Sequence, residues 1–536
     1  MVSINTDISP NTSQDKKVEA ILKRYKEADN LKAQWKDKFE EAYEYCLPQR
    51  ESFYDEAAGQ KRTDKIFDET AVVGIQEFAS RLQAGIVPTF ARWANFEAGV
   101  EIPEENQEEV NASLDDITQY IFEIIGNSNF NSEVHEAFMD LAIGTGVMVI
   151  EEGDAVNPIK FNAIPLPHVS LMNGPTNKID SVYRKRQCKL NEIQVMYPNA
   201  EIPKEVMESM DENKKCTIID GVYQVYDEPN VEKFKHCVIL LDKKVIILEE
   251  MFEGVGSNPY VCFRWNKASG EVYGRGPIFN AMSAIKTTNL TIQLILENAQ
   301  MSISGIYQVE DDGIVNPDNI QLVPGSLIPI APNSKGLQPV NSAGRFDVAQ
   351  LVLEDMRNNI KKALYMETLG RPEGTPMTAT EVAERMADLS RQIGSSFGRL
   401  QSEFVIPVLR RVIRILKDQG RIELPIINGR EVKVQAISPL ARSQYQQDIS
   451  DINRFHEIIA TTFGPQVLNL IVKQDEVAKH IGKLMNIPEK LLRDSTEQQA
   501  LAQQVEGMAQ QGQLEGDIND VMGSPQAPQR PAQTSQ

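Results

Sequence analysis

Apolar positions recur every three or four residues over most of this chain, and one block breaks that rhythm. Val18, Ile21, Leu22 and Tyr25, followed by Trp35, Phe39 and Tyr43, predict a helix over residues 16–46, closed by Pro48. A second helix is predicted from Phe67 to Val87, stopped by Pro88. Residues 101–116 hold seven acids and no base, which predicts a solvated loop leading into a helix over 113–126 with Ser113 as its N-cap. A fourth helix is predicted from Ser132 to Ile143, ended by Gly144. From Gly146 to Trp265 the spacing changes to alternation, rich in Val, Ile and Tyr. The strand candidates are Val147–Ile150, Lys160–Ala163, Ser181–Gln187, Cys216–Tyr226, His236–Leu241, Lys244–Glu249 and Tyr260–Trp265. Leu240-Leu-Asp-Lys-Lys-Val245 reads as a hairpin within a mostly antiparallel sheet.

Helical spacing returns after Tyr273-Gly-Arg-Gly-Pro277, where Pro277 suits a first turn. Ile278, Met282, Ile285, Ile292, Leu296 and Ala299 form one stripe, interrupted by Asn289. A return helix over 346–367 carries Leu353, Met356, Ile360 and Leu364. Between the two lies a Pro- and Gly-punctuated insert, residues 303–342, so the pattern predicts a helical hairpin whose tip has grown into a small domain. The next segment, 368–377, contains Gly370, Pro372, Gly374 and Pro376 and cannot continue either flanking helix. After it, Val382, Met386, Leu389, Ile393, Phe397, Leu400, Phe404, Val408, Val412 and Ile415 follow one another by three or four. That predicts one helix of roughly 60 Å at about 1.5 Å per residue, kinked at Pro407 because proline removes a backbone donor and crowds the preceding turn. Residues 440–494 predict two or three further helices, and the tail from Ser495, with eleven Gln, predicts disorder, as do residues 1–15. The fold class is therefore α+β, mainly helical.

Composition narrows the function. In 536 residues, 76 Asp and Glu outnumber 55 Lys and Arg, a net charge of −21. Such a chain repels nucleic acid on average and is not a tight static DNA clamp. The five cysteines form no CxxC pair, which fits reduced thiols. The longest apolar runs are far shorter than the ~18 residues that a membrane span requires.

Chemistry is sparse. There is no GxxxxGK[ST] loop, no HExxH and no GxSxG, which argues against a packaging ATPase and against the common hydrolases. His135, His168, His236, His456 and His480 lie far apart, without ligand spacing. Gly274-x-Gly276 lacks the third glycine of a dinucleotide fingerprint and reads as a structural turn. Glu310-Asp311-Asp312 could hold a hard cation, although adjacent loop acids are usually only solvated. No catalytic residue, metal ligand or cofactor emerges. One region opposes the global charge: residues 357–421 hold 12 Lys and Arg against 7 Asp and Glu. Within it, Lys361, Lys362 and Arg371 flank or occupy the Gly/Pro segment and are the candidates for touching a phosphate. Arg410, Arg411, Arg414, Lys417 and Arg421 read as subunit-interface or surface charge.

The order of these parts resembles the portal (head-to-tail connector) proteins of short-tailed podovirus bacteriophages. Pro88-Thr-Phe-Ala-Arg-Trp93 is similar to that family's Pro-to-Trp stretch after an early helix. Phe138-Met-Asp-Leu-Ala-Ile-Gly-Thr-Gly-Val-Met-Val-Ile150 is similar to its helix-to-strand junction, and Thr378-Ala-Thr-Glu-Val382 with Arg385 to its helix start after the tunnel loop. The resemblance spans residues 16–495 and implies names for the parts. Residues 16–272 would be the wing, with N-terminal helices and a β-rich block. The two stem helices would be 273–302 and 343–367, the clip 303–342 and the tunnel loop 368–377. Residues 378–439 would be the long kinked helix and wing return, 440–494 the helical crown, and 495–536 a Gln-rich flexible tail. The resemblance implies a non-enzymatic ring of twelve copies at one capsid vertex of the virion, assembled in the host cytoplasm, through which double-stranded DNA is packaged and ejected. Its implied partners are further copies of itself, the terminase large subunit, the major capsid protein, the scaffolding protein, the tail adaptor protein and internal core proteins. The competing reading is a head–tail structural or scaffold protein without a DNA tunnel.

Overall fold

A computed structural model describes residues 11–54, 65–89, 91–97, 104–203, 215–228, 231–304, 307–308, 338–339, 346–366, 396–423, 433–436, 439–464 and 471–485, with isolated positions between them. The chain divides into two compact units. The first comprises residues 1–95, 119–423 and 436–444, and the second residues 96–118, 424–435 and 445–536.

In the first unit, β4 (Val169–Asn173), β5 (Ile179–Lys189), β6 (Lys215–Val225), β7 (Lys233–Leu240) and β8 (Val245–Glu253) form an antiparallel sheet in sequence order. Alternation along each strand gives the sheet two apolar faces. On one face Ile219, Tyr223, Cys237 and Ile239 pack with Val18, Ile21 and Ala28 of α1 (Asn11–Ala33). On the other, Cys216, Ile218, Val238 and Leu240 pack with Leu190 and Ile193 of α6 (Leu190–Met196). A smaller sheet, ordered β3-β2-β9, joins β3 (Ile159–Ala163), β2 (Thr145–Glu152) and β9 (Tyr260–Arg264). Residues Thr145 to Ile150 of its central strand are all buried. Helix α5 (Phe130–Ile143) packs against β2, as does α9 (Ile406–Asp418), which accounts for the unbroken apolar run Val147-Met-Val-Ile150.

The remaining helices of this unit are α2 (Lys36–Cys46), α3 (Thr70–Ile86), α7 (Pro277–Ser304) and α8 (Phe346–Ala363). Helices α7 and α8 pack along each other. The ends of the insert between them pair as a short antiparallel ladder, β10 (Tyr307–Gln308) with β11 (Gln338–Pro339). The second unit contains part of α4 (Glu104–Asn127), most of α10 (Pro439–Phe463), and α11 (Gln474–Met485). Strands β1 (Ala94–Glu97) and β12 (Lys433–Ala436) form a two-stranded sheet.

Each strand expected from alternation is present, and Leu240–Val245 is the expected hairpin connection. Several helix boundaries differ. Helix α1 starts at Asn11, inside the segment expected to be a disordered arm, and the single helix expected over 16–46 breaks at Trp35, whose N–H turns back to the Lys32 carbonyl at 2.9 Å. The Trp35 ring stacks on Phe39 and approaches Tyr273 and Phe279, so aromatic burial turns the chain there. Ser113 is not an N-cap, because α4 begins nine residues earlier at Glu104. Helix α8 ends at Ala363 rather than at residue 367. The sequence pattern gives no sign of strands β1, β4, β11 and β12.

Candidate functional site

The helical pair α7–α8 is launched from a seam of glycines. The Gly276 N–H donates to the Ile143 carbonyl at 2.8 Å, and the Trp265 N–H donates to the Gly144 carbonyl at 2.9 Å. A Cβ on Gly276 would lie 2.0 Å from the Ala142 carbonyl oxygen, and one on Gly144 would lie 2.0 Å from that of Gly274. Backbone meets backbone here, so Gly274-x-Gly276 is a packing joint, as its missing third glycine indicated.

Asn289, the polar interruption of the α7 stripe, is buried and is the first half of an anchor. Its Oδ1 accepts the Phe67 and Asp68 N–H groups, both at 2.8 Å. Asp68 in turn accepts the Thr70 N–H at 2.9 Å and the Arg357 guanidinium of α8 at 2.8 and 2.7 Å. Burial works to raise the Asp68 pKa, but hydrogen bonds from Thr70 and the Arg357 charge outweigh it and hold the carboxyl below its ordinary range. The start of α3 thereby fastens both helices of the pair.

Beyond Asn289 the pair leaves the core. Leu290, Leu294 and Leu296 on α7 are 56, 55 and 53% exposed, and Leu351 on α8 is 66% exposed. Leu296 was expected in the buried stripe. It is exposed because α7 buries no residue from position 290 to position 300.

At the far end of α8, Lys361 and Lys362 are exposed, and α8 closes on Tyr365 in the left-handed region at φ 57°. Arg371 and the Gly370, Pro372, Gly374 and Pro376 segment lie outside the described residues, as do Glu310–Asp312. The chain is described again from Ser396, apart from the isolated Gly394. Leading into α9 is a π turn over Gln401–Val405, in which the Ile406 N–H reaches back to the Gln401 carbonyl. The wider turn sits directly before Pro407 and opens the ladder where the proline has no donor. It also aims Phe404 between Phe138 and Phe263, with ring centroids at 5.3 and 4.6 Å, and turns Glu403 onto Arg264.

Three of the basic residues after Pro407 bind carbonyls of the same chain. Arg411 donates to the Ile150 and Ser257 carbonyls, Arg414 to that of Glu253, and Arg421 to that of Ala155. These side chains clip two strand connections to α9; Arg411 is half-buried there, while Arg410, Lys417 and Arg421 are exposed, as expected of surface charge. Burial lowers the Arg411 pKa to about 10.

Sequence reasoning missed one polar centre on the α6 face of the large sheet. Asp220 accepts hydrogen bonds from Tyr197 at 2.8 Å and Tyr260 at 2.9 Å, and pairs with His236 Nε2 at 2.9 Å. His236 Nδ1 lies 3.7 Å from Glu250. Burial works against both charges, yet their hydrogen bond and mutual attraction prevail. Asp220 is held below its ordinary carboxylate range and His236 above its ordinary imidazole range. No spacing signal announces the group, because its members come from five separate elements or turns. Among the described residues, no cluster of three or more His, Cys, Asp or Glu could hold a metal, and no helix is long and apolar enough to cross a membrane.

The model of the family described as "Bacteriophage head to tail connecting protein" matches residues 18–492. The chain is 21% identical over 474 residues to a probable portal protein of Bordetella phage BPP-1, covering 84% of each chain. It is 21% identical to the portal protein of Escherichia phage T7, covering 90% of this chain and 89% of that one. It is 19% identical to the portal protein of Enterobacteria phage T3, covering 85% and 86%. A chain from the virion of a native gene transfer agent particle aligns with a TM-score of 0.33 at 11% identity, covering 74% of this chain and 87% of that one.

Proposed function

The chain belongs to the bacteriophage head-to-tail connecting protein family, and from that premise we propose that it closes into a ring, of twelve copies, at one capsid vertex of a phage virion. The ring is the channel through which double-stranded DNA enters and leaves, and its role is structural rather than enzymatic. The observation that carries the ring is the leucine face of α7 and α8. Leu290, Leu294 and Leu351 are more than half exposed in a single chain although they lie on two packed helices. Apolar side chains of this size, exposed on both helices of a pair, suit burial against the same pair of the next copy, a head-to-tail contact that closes as a ring.

In this reading α7 and α8 are the stem, residues 303–342 are the clip that meets the terminase large subunit and later the tail adaptor, and residues 368–377 project into the channel. The wing comprises residues 16–272 with the return through 378–439. The crown spans 440–494 and faces the internal core proteins, and the capsid and scaffolding proteins surround the ring during assembly in the host cytoplasm. A net charge of −21 supports passage over retention, since a negative lining repels phosphates. Lys361, Lys362 and Arg371 supply the few positive charges that keep the duplex centred. Negative-stain microscopy of the purified protein, with symmetry analysis, tests the proposal. A closed ring with a central hole is expected; only monomers and dimers, in solution and in reconstructed virions, would overturn it.

A further inference from the structure

The end of α8 is closed by a residue poorly suited to that place. The Met366 N–H returns to the Lys361 carbonyl at 2.8 Å and the Tyr365 N–H to the Lys362 carbonyl at 3.1 Å, the paired bonds of a glycine-type helix cap. The left-handed position in that cap belongs to Tyr365, at φ 57°, where an aromatic residue is disfavoured and glycine would be free. Surroundings that hold such a conformation usually do so for a reason beyond ending a helix.

One face of α3 holds it. Gly74, Phe78 and Arg81 follow at spacings of four and three. A Cβ on Gly74 would lie 2.5 Å from Leu364 Cδ1, so its absence makes room for the cap. The Phe78 ring lies 6.4 Å from that of Tyr365, and Arg81 Nη1 donates to the Tyr365 carbonyl at 2.8 Å. The tyrosine ring also meets Trp265, with centroids 5.8 Å apart.

Trp265 marks the place where the chain returns. Its carbonyl accepts Arg399 Nη1 at 2.9 Å, and the neighbouring Asn266 side chain accepts Ser396 Oγ at 3.0 Å. Tyr365 at the end of α8 and Arg399 therefore meet the same residue, Trp265, with Ser396 held at its neighbour Asn266. We propose that Tyr365, seated on Trp265, is a positioning residue. It holds the end of α8 against Trp265, the same residue whose carbonyl holds Arg399. The consequence for DNA rests on the reading of residues 368–377 as a channel loop; the positioning itself does not.

Hydrogen–deuterium exchange on the full-length assembled protein tests this, following the peptide over residues 360–366, together with DNA content in particles carrying each variant. Tyr365→Phe keeps the ring and is expected to match the parent. Tyr365→Gly removes the ring but favours the left-handed backbone, so a residue that merely ended the helix would tolerate it. Exchange at least about tenfold faster is expected instead, since ring contacts with both Phe78 and Trp265 are lost, with particles holding less DNA or losing it. Arg81→Ala, which removes only the carbonyl contact, is expected to loosen the same peptide and serves if the glycine variant fails to fold. Parent-like exchange in Tyr365→Gly or in Arg81→Ala overturns the positioning role. Faster exchange with unchanged DNA content supports that role and removes the channel reading of 368–377 instead.

Discussion

Arg264 and Glu403 form a two-point ionic grip inside the first unit. The Arg264 Nη2 and Nε atoms reach the two carboxylate oxygens at 2.6 and 3.1 Å, and the Arg264 backbone N–H adds a third bond at 3.0 Å. Arg264 is 1% exposed, and its Nη1 also donates to the Val272 carbonyl at 3.2 Å. The grip ties the last residue of β9 to the π turn, so the geometry before Pro407 depends on a charge pair far from it in sequence.

Removing one partner should therefore do more harm than loss of a surface pair. Glu403→Leu would leave Arg264 buried without its counter-charge, and a destabilisation of about 3–5 kcal/mol is expected. The thermal midpoint should fall by several degrees, and exchange should rise first in the peptides of β9 and residues 396–405. An unchanged midpoint would show that the π turn is held by Phe404 packing alone.

The pair of Asp220 with His236 predicts a window of pH. His236 has a folded pKa above its ordinary 6.5, so its contribution is complete below 6.5 and is lost as pH rises through the raised value. Asp220 has a folded pKa below its ordinary 3.8, so its contribution is present above 3.8 and is lost as pH falls through the lowered value. The centre stabilises most between those two ordinary values. His236→Phe should flatten the decline of the thermal midpoint on the alkaline side. An unaltered slope would assign that decline to other groups.

Because Leu290 and Leu294 are exposed in one chain, changing them should spare the fold and strike assembly. Leu290→Glu with Leu294→Glu is expected to leave the circular dichroism spectrum unchanged and the monomer's stability within about 1 kcal/mol of the parent, about 0.5 for each surface substitution. Sedimentation velocity should show the large species replaced by monomer. Retention of the large species by this double variant would place the contact between copies elsewhere.

Arg371→Ala is expected to leave ring formation unchanged and to alter the packaging or retention of DNA. One phosphate contact supplies little of the salt-dependent affinity that several would, so the effect is on passage rather than on stable binding. Failure of Arg371→Ala to assemble, with normal DNA content in whatever particles form, would make the segment a structural joint.

Helix and strand content was legible because it is written locally. The stripe Phe397, Leu400, Phe404, Val408, Val412 and Ile415 is buried throughout, and the alternation from Gly146 to Trp265 became the two larger sheets. Gly274-x-Gly276 could be read as a structural turn because it lacks the third glycine of a dinucleotide fingerprint, but its contact with Gly144 could not. The order of helices, β-block, insert and return helix also sufficed to suggest the family.

What the sequence left open depends on residues brought together from afar. Asn289 reads as a flaw in a stripe until it meets Asp68, 221 residues earlier. Glu403 reads as one acid among many until it meets Arg264, 139 residues away, and Arg357 finds Asp68 across 289 residues. Tyr365 carries no local signal for a left-handed backbone, since by itself it favours the opposite hand. Periodicity records which face of an element is buried, because that face is set within a few residues. It does not record which buried charge meets which, or which ring holds a strained turn, because those contacts exist only once the elements have packed.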